Sequence, residues 1–244
     1  MTIKTYQKRC FKNYKKSIGL PDNYNFLHGN PINVQVPIET TQNGLMVVGA
    51  YPSAKFYTIG KFTNVPLVDH NAPFSNESYF DGSSVRNIPS GEELEKNYLV
   101  PLGISRDYCW ITDLVKVFLF KKGHIDQYTK LGESNITENR SKFREYAEKS
   151  LPWLEEEIKL ASPKIIILLG QEVTSVVFQI SREKGKNFLD GSIRQLLIAN
   201  THFPTFCLPH PGIIMKPYPK NPWPDRLENE ILPRIRNELM MVDI

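Results

Sequence analysis

The feature that most constrains the fold is a solid apolar run that ends at a glycine, and it occurs twice. Residues 45–48 read LMVV and lead into Gly49, and residues 164–169 read KIIILL and lead into Gly170. Short apolar runs bounded by turn residues are typical of strands that are buried on both faces. Such strands lie in parallel sheets that carry helices on both sides, so we expect an α/β fold.

Further strands and helices alternate along the chain. Residues 107–120 predict a second strand and its exit, and residues 203–208 predict a fourth strand. Apolar residues at helical spacing predict helices over residues 90–102, 142–160, 171–182 and 224–242. Pro152 and Pro233 are expected to disturb two of these helices. Residues 55–90 and 121–141 read as long polar loops. The alternation predicts a parallel sheet flanked by helices.

The composition is that of an ordinary soluble protein, with 41% hydrophobic and 23% charged residues among 244. We expect a single domain over residues 1–244, with a basic N-terminal extension over about residues 1–40. No apolar run approaches the length of a membrane span, and no secretory signal is visible. Three widely separated cysteines indicate a reducing compartment, so we expect a cytoplasmic monomer with no membrane partner.

The N-terminal segment has its own pattern. Residues 1–20 contain six basic residues and no acidic residue. An apolar stripe recurs every four residues, at Tyr6, Cys10, Tyr14 and Ile18. One interpretation is a helix that packs this stripe against the protein body. The other is a basic face that lies near nucleic-acid phosphates.

The clearest chemical signal is the turn CLPHPG at residues 207–212. Prolines on both sides of His210 fix the backbone and hold the imidazole in one place. A rigid hydrogen-bond donor is what stabilisation of a developing anion requires. The alternative is that His210 only makes a hydrogen bond inside a tight turn. The loop at residues 49–55 is also expected to line a site, because ligands of open α/β sheets bind beyond the carboxyl ends of the strands.

Five motifs follow one another along the chain: GAYPS at 49–53, PF at 73–74, YCWITDLVK at 108–116, PKIIILLG at 163–170 and HPG at 210–212. In their order and spacing they resemble the motifs of the uracil-DNA glycosylase superfamily. The third and fourth are similar to the YITNVVK and PKVIVALG segments of the family's iron–sulfur branch. The resemblance covers about residues 44–235. It implies a three-layer α/β/α sandwich around a central four-stranded parallel sheet, and cleavage of the bond between deoxyribose and a base flipped out of single- or double-stranded DNA.

The resemblance also implies roles for individual residues. His210 would donate a hydrogen bond to the departing base, and Phe74 would stack on it. The base pocket would be lined by Gly49, Ala50, Tyr51, Phe74 and Asp113. Contacts to DNA would come from Ser53, Lys55, Gly212, Ile213 and Lys216, with Ile213, Ile214 and Met215 forming an apolar wedge in the emptied base stack. Core packing is the alternative for the wedge residues, and a solvated surface position is the alternative for Ser53, Lys55 and Lys216.

Three departures from the family pattern matter. The first motif usually holds a carboxylate or Asn that positions or activates water, whereas this chain has Ala50 and Tyr51. Glu77, three residues after Phe74, is the first candidate to replace this carboxylate in catalysis, and Asp81 is the second. The alternative for Glu77 is that it is a solvated acid in a surface loop. The four cysteines of the iron–sulfur branch are missing, so no cofactor or metal is expected.

Asp113 stands where the family has a base-reading Asn. An Asn amide both donates and accepts hydrogen bonds, whereas an ionised Asp only accepts them. Asp113 is therefore expected either to read a base with an exocyclic amino group or to act as the acid/base group. Two functions stay open: a glycosylase for uracil or another altered base, and a non-catalytic binder of modified, flipped or abasic DNA.

Overall fold

A central sheet flanked by helices organises the protein, whose computed structural model describes residues 1–133, 135–216 and 220–241. The strands are β1 (Leu45–Gly49), β2 (Ala54–Ile59), β3 (Phe62–Asp69), β4 (Ser78–Phe80), β5 (Val85–Asn87), β6 (Cys109–Asp113), β7 (Ile165–Leu169), β8 (Arg194–Ile198) and β9 (Thr201–Leu208). The helices are α1 (Ile3–Ile18), α2 (Pro89–Leu94), α3 (Val100–Leu102), α4 (Lys122–Lys130), α5 (Phe143–Ala161), α6 (Gln171–Val177), α7 (Arg182–Asn187), α8 (Pro211–Ile214), α9 (Trp223–Arg226) and α10 (Leu232–Met241).

The sheet has five strands in the order β6–β1–β7–β9–β8, where four were predicted. The four predicted strands are parallel, as expected, and β8 is an additional edge strand antiparallel to β9. Ala199 and Asn200 join β8 to β9 with positive φ angles of 47° and 67°. Two such residues form the tight hairpin turn that matches the twist of antiparallel strands. The α/β class is confirmed, and the strand count is corrected.

The register brings the strand ends together at one edge of the sheet. Gly49 at the end of β1 lies opposite Asp113 at the end of β6, and Leu169 at the end of β7 lies opposite Leu208 of β9. All residues of β1, β6 and β7 are buried, which explains the uninterrupted apolar sequences of β1 and β7 and the apolar start of β6, whose last two residues are the buried Thr112 and Asp113. The loops that leave these strands therefore converge, as the strand pattern predicts for a ligand site.

Neither proline interrupts its helix, so the expected disturbances at Pro152 and Pro233 are corrected. Helix α5 runs without a break through Pro152. The C-terminal helix is also continuous past Pro233, because a π-helical segment, Leu227–Ile231, joins α9 to α10. A wider π turn tolerates a residue that has no N–H to donate, so the proline changes the local winding rather than ending the helix.

The two predicted loops contain regular structure. Residues 55–90 include the hairpins β2–β3 and β4–β5, and residues 121–141 include α4. The hairpin β2–β3 carries two register shifts, which interrupt the alternation of apolar and polar residues that would reveal a strand. These segments therefore look irregular in the sequence although they are paired in the fold.

Helix α1 confirms the predicted apolar stripe, since Tyr6, Cys10, Tyr14 and Ile18 are all buried. The helix packs on α5, where the Tyr6 hydroxyl donates to Glu157 Oε1 at 2.8 Å. Glu157 in turn forms a fully buried ion pair with Lys116 at 2.7 Å. The first interpretation of the stripe therefore holds, and a nucleic-acid role for the basic face stays a prediction. In the described ranges, no helix is both long and apolar enough to cross a bilayer.

Candidate functional site

A cleft of about 830 Å³ opens at the carboxyl edge of the sheet. Its walls come from loops that follow β1, β6, β7 and β9 and from the two hairpins. The sequence-predicted residues that line it are Ala50, Tyr51, Ser53, Phe74, Asp113, His210, Gly212, Ile213 and Lys216. Gly49, Lys55, Glu77 and Asp81 are not among the lining residues, although Gly49 was expected to line the base pocket. The motifs that are far apart in sequence thus meet in one cavity.

The side chains of Asp113 and Phe74 both pack against Gly49. A Cβ atom added to Gly49 would clash with Asp113 Oδ1 and would lie 2.5 Å from Cε2 of Phe74. No larger residue fits without moving the carboxyl group or the ring. The glycine at the end of β1 therefore allows an acid and an aromatic face to lie side by side.

Phe74 is held in an unusual backbone conformation, with φ at 51°. This left-handed region is unfavourable for a large side chain and needs support from the surroundings. Arg106 supplies part of that support, because its Nη2 donates to the Phe74 carbonyl oxygen at 2.6 Å while its Nε donates to Glu39 at 2.7 Å. The ring is consequently fixed at the cleft wall.

Glu77 provides the rest of the support for this loop. Its carboxylate accepts hydrogen bonds from the Asn71 backbone N–H at 2.7 Å, the Asn71 side-chain amide at 2.6 Å and the Ser75 hydroxyl at 3.2 Å. Lys55 pairs with it at 2.8 Å. Partial burial opposes ionisation, but Lys55 and Asn71 together hold the pKa of Glu77 below its usual value. The carboxylate therefore has four donors and is not among the groups that line the cleft.

Asp81 stabilises a turn in a similar way. Its Oδ1 accepts the backbone N–H groups of Ser83 at 2.8 Å and Ser84 at 2.7 Å, and its other oxygen pairs with Arg86. These contacts close the hairpin β4–β5. The two acids that the sequence offers as replacements for the motif carboxylate therefore both bind their own loops.

His210 lies in the turn between β9 and α8 and is accessible from the cleft. Its Nδ1 accepts the Gly212 backbone N–H at 3.0 Å, so the ring proton lies on Nε2. Tyr98 anchors the same turn by donating to the Pro209 carbonyl oxygen at 2.6 Å. Desolvation by the cleft walls lowers the pKa of His210 to about 4, Glu172 opposes the shift, and Lys121 reinforces it. At neutral pH the ring is an uncharged donor.

Asp113 is the most unusual acid in the cleft, since it is buried and lines the floor. Within residues 1–133, 135–216 and 220–241, no donor forms a hydrogen bond with its carboxyl oxygens, which are open to a ligand. Burial raises the pKa of Asp113 to about 7, Lys116 opposes this shift and Glu157 adds to it. Lys116 Nζ also donates to the Asp113 carbonyl oxygen at 3.1 Å, which ties the strand end to the buried ion pair.

Tyr51 and Arg140 form a wall that the sequence did not reveal. Arg140 Nε donates to the Tyr51 hydroxyl at 2.9 Å, and the guanidinium carbon lies 4.9 Å from the ring centroids of both Tyr51 and Phe143. Glu172 pairs with the other side of Arg140. Because burial raises the pKa of Tyr51, with Arg140 opposing, its hydroxyl keeps a proton that it can donate to a ligand. Tyr51 and Arg140 are 89 positions apart in the sequence, so no spacing pattern links them.

Two further histidines line the cleft and were also missed. Burial lowers the pKa of His70 and of His124 to about 4. His124 stacks on Phe118 with the ring centroids 5.5 Å apart, and its Nδ1 accepts the Lys121 backbone N–H at 3.2 Å. Isolated histidines in polar loops carry no pattern that marks them as site residues.

The cleft carries an excess of positive charge. Its basic residues are Arg86, Lys121, Arg140, Arg182, Lys186 and Lys216, and its acids are Glu93, Asp113 and Glu172. Such an excess attracts a polyanion, and each neutralised phosphate adds salt-dependent affinity. Among the residues that the structure describes, no group of three or more His, Cys, Asp or Glu side chains is arranged to hold a metal ion.

Comparison with family profiles identifies the family of this chain. A family profile described as "Uracil DNA glycosylase superfamily" matches residues 38–232, which is most of the chain. A search of curated proteins found no significant match. Helix α1 precedes the matched region, whereas the strand ends and the cleft residues described above lie within it.

Proposed function

The chain belongs to the uracil DNA glycosylase superfamily, and on that premise we propose that it hydrolyses the N-glycosidic bond of uracil or another altered base flipped out of DNA. The observation that carries this proposal is the meeting of His210, Asp113 and Phe74 in one cleft with a basic lining. A donor, an unpaired carboxyl group and an aromatic face are the three groups that binding and expelling a base require.

In this proposal, Phe74 and Asp113 recognise the base. A nucleotide that leaves the stack loses a few kcal/mol, and stacking on an aromatic side chain offsets part of that loss. Asp113 has a raised pKa, to about 7, so its carboxyl group exists in both forms near neutral pH. The protonated group donates and accepts as an amide does, while the ionised group only accepts. The protonated form suits a uracil-like edge, and the ionised form suits an exocyclic amino group.

In this proposal, His210 assists cleavage of the N-glycosidic bond. The bond between the sugar carbon and the base nitrogen breaks, and its electron pair leaves with the base. The base becomes an anion while the sugar becomes oxocarbenium-like. A neutral imidazole that lines the cleft and carries its proton on Nε2 stabilises that anion as a hydrogen-bond donor. Fixed orientation matters here because the donor must be in place as the charge develops.

Water completes the reaction by adding its oxygen to the sugar carbon and giving up a proton, which the base anion finally takes. We assign the positioning of this water to Tyr51, whose hydroxyl is fixed by Arg140. A highly reactive oxocarbenium ion needs an oriented water more than a strong base. Tyr51 therefore takes the place of the motif carboxylate, and Glu77 becomes a positioning residue for Phe74.

Glu77→Gln is expected to lower kcat/KM for base release by about tenfold, mostly through KM, because the loop that presents Phe74 loosens. Lys55→Met removes the other half of the ion pair and should have the same effect. The double variant should then be no worse than either single variant, which marks a shared role. Glu92→Gln, at an exposed acid on α2, is the control. A loss of kcat at unchanged KM, with Lys55→Met silent, would instead make Glu77 a catalytic group.

Asp113→Asn is expected to stabilise the protein more at high pH than at low pH. Between about pH 4 and pH 7 the folded state keeps a proton on Asp113 that the unfolded chain has released, so the parent loses stability as the pH rises. The Asn variant lacks this titration. Its advantage in the free energy of unfolding should reach about 2–4 kcal/mol near pH 8 and shrink toward pH 5.

Thermal unfolding of both proteins across that range measures the effect. Asp107→Asn, at an exposed position in the same segment, serves as the control and should show no comparable trend. An advantage that is the same at both ends of the range would contradict a protonated Asp113 at neutral pH.

A second function rests on one observation, the absence of an acidic group at Ala50 and Tyr51. It is a binder of modified, flipped or abasic DNA that cleaves nothing. Incubation with single- and double-stranded oligonucleotides that carry uracil, hypoxanthine, xanthine or modified cytosines separates the two. Release of a base supports the glycosylase, and tight binding of these oligonucleotides without release supports the binder.

A further inference from the structure

Helix α1 presents a face that carries only positive charge. Residues 1–20 hold six of the 30 basic residues of the chain and none of its 26 acids. The rest of the chain is left with 24 basic residues and 26 acids, so the net positive charge of the protein comes from this one helix. Four exposed lysines of α1, which we call the lysine stripe, follow one another at intervals of four residues: Lys4, Lys8, Lys12 and Lys16.

The lysine stripe has no acids to balance it. Side chains four residues apart are neighbours on a helix surface, so like charges at this spacing repel one another. Lys4 also lies in the first turn, where the helix dipole disfavours a positive charge. In the part of the chain that the structure describes, no carboxylate pairs with a lysine of the stripe. Helix α5, by contrast, balances its exposed charges with two ion pairs, Arg144–Glu148 and Lys149–Glu145. The uncompensated charge of α1 points to a polyanionic partner.

Helix α5, on which α1 packs, runs away from the cleft. It begins beside the cleft, where Phe143 packs against Tyr51 with the ring centroids 6.0 Å apart. It ends at the opposite edge of the sheet, where the Ala161 carbonyl oxygen accepts the Asn43 N–H at 2.8 Å, just before β1 begins. The direction of α5 therefore serves as a ruler for the position of α1.

Helix α1 is antiparallel to α5. Near its start, the Tyr6 hydroxyl donates to Glu157, close to the end of α5. Farther along, the Tyr14 hydroxyl lies 2.6 Å from Ser150 Oγ, which is nearer the start of α5. The lysine stripe therefore begins far from the cleft and extends toward it over about 18 Å, at 1.5 Å per residue. No residue of α1 lines the cleft. DNA that lies across the cleft can reach at most the near end of the stripe.

The chemistry of the lysine stripe suits the backbone of duplex DNA. Its length of about 18 Å corresponds to about five phosphates of one strand. An ammonium group is a point charge that contacts phosphates without reading bases. A membrane surface fits less well, because an interfacial helix needs an apolar face. The apolar stripe of α1 is buried against the protein body, and its exposed side offers Phe11 as a large apolar residue.

We propose that the lysine stripe is a second DNA-binding surface, which holds a stretch of duplex other than the one in the cleft through phosphate contacts alone. Helix α1 precedes residues 38–232, so this surface lies outside the region that the family profile matches. One protein molecule then holds two DNA segments, and it stays on long DNA while the cleft leaves one site for another. The proposal does not require the cleft to cleave a base.

Two variants that lose the same net charge test this proposal. The stripe variant replaces the lysine stripe with glutamine: Lys4→Gln, Lys8→Gln, Lys12→Gln and Lys16→Gln. The control variant changes four exposed lysines of other segments that do not line the cleft: Lys96→Gln, Lys130→Gln, Lys159→Gln and Lys164→Gln. Glutamine forms helices about as well as lysine, and the repulsion along α1 is relieved. The stripe variant should therefore unfold at no lower temperature than the parent.

The first measurement is binding of an undamaged duplex over a range of salt concentrations. The stripe variant should lose about 3 to 4 units from the slope of log K against log salt, because each phosphate contact contributes about 0.9. The slope of the control variant should change by less than about 1 unit. Equal changes in the two variants would mean that net charge alone matters, and would overturn the proposal. So would an unchanged slope in the stripe variant, including the case in which that variant loses binding only to vesicles of phosphatidylserine and phosphatidylcholine.

The second measurement asks whether the two surfaces are separate. A short single strand with a tetrahydrofuran abasic analogue first fills the cleft, and the undamaged duplex is then added. Native mass spectrometry should show a complex of protein, short strand and duplex with the parent and the control variant, but not with the stripe variant. The stripe variant should bind the short strand within about twofold of the parent, because the cleft is intact. Displacement of the short strand by the duplex would overturn the second surface. A parent that binds the duplex but not the short strand would contradict the proposed function, while the salt slopes would still decide the role of the stripe.

Discussion

His210→Ala is expected to lower the single-turnover rate of base release by roughly 10²–10³-fold, because the variant lacks the donor that we assign to the negative charge developing on the departing base. Binding of an abasic duplex should change little, since the donor acts on the base rather than on the backbone. His202→Ala is the matched control, at an exposed histidine on β9 outside the cleft. The measurement is release of the base at saturating enzyme.

The pH dependence of this rate tests which protonation state of His210 is active. Its pKa is lowered to about 4, so the donor form is present throughout the neutral range and no loss should appear as the pH rises past 6.5. Asp113 titrates near pH 7, so the comparison is cleanest in the Asp113→Asn variant. There the rate should be flat between about pH 5.5 and pH 8. A rate that falls with deprotonation near pH 6.5 would mean that a charged imidazolium is the active form.

Gly49→Ala is expected to lower kcat/KM by about 10²-fold, because a single methyl group would displace the Asp113 carboxyl group, the Phe74 ring or both. Overpacking of this kind also destabilises a protein by about 1–3 kcal/mol. Gly123→Ala is the control, because a Cβ at that position in α4 meets no atom within 4 Å. That variant should be fully active and no less stable than the parent.

The Gly49 measurement pairs steady-state kinetics with thermal unfolding. If Gly49→Ala is folded at the assay temperature and inactive, the convergence of Asp113 and Phe74 on this glycine is functional. A folded Gly49→Ala with parental kcat/KM would show that the base does not bind against this part of the cleft.

Much of the fold was predictable from local sequence. The strands β1, β6 and β7 and the second half of β9 are buried, and buried strands have short apolar runs that can be recognised in the sequence. The stripe on α1 was predictable for the same reason. Strand β8 was not, because its sequence, RQLLI, mixes exposed and buried positions and its partner is decided by a hairpin turn. Pairing between strands is a tertiary contact, and single-sequence patterns record it poorly.

The site was predictable only where a motif marked it. His210, Phe74 and Asp113 were expected to share a pocket, and all three line the cleft. Glu77 was expected to replace the motif carboxylate, but it does not line the cleft, and its orientation depends on Lys55 and Asn71, which no spacing rule links to it. Arg140 was placed in a surface loop, and its contact with Tyr51 arises only when the chain folds. The direction of a side chain is set by its packing in the fold. Catalytic or binding roles that depend on this direction can therefore be assigned only from the structure.

The most direct test of this account is the appearance of a free base. The parent protein is incubated with the oligonucleotide panel, and the solution and the DNA are both analysed by mass spectrometry. The account predicts one free base together with an intact strand that carries an abasic deoxyribose, and neither product with His210→Ala. DNA that is bound by the parent but keeps every base would contradict the glycosylase and leave the binder of flipped or modified DNA.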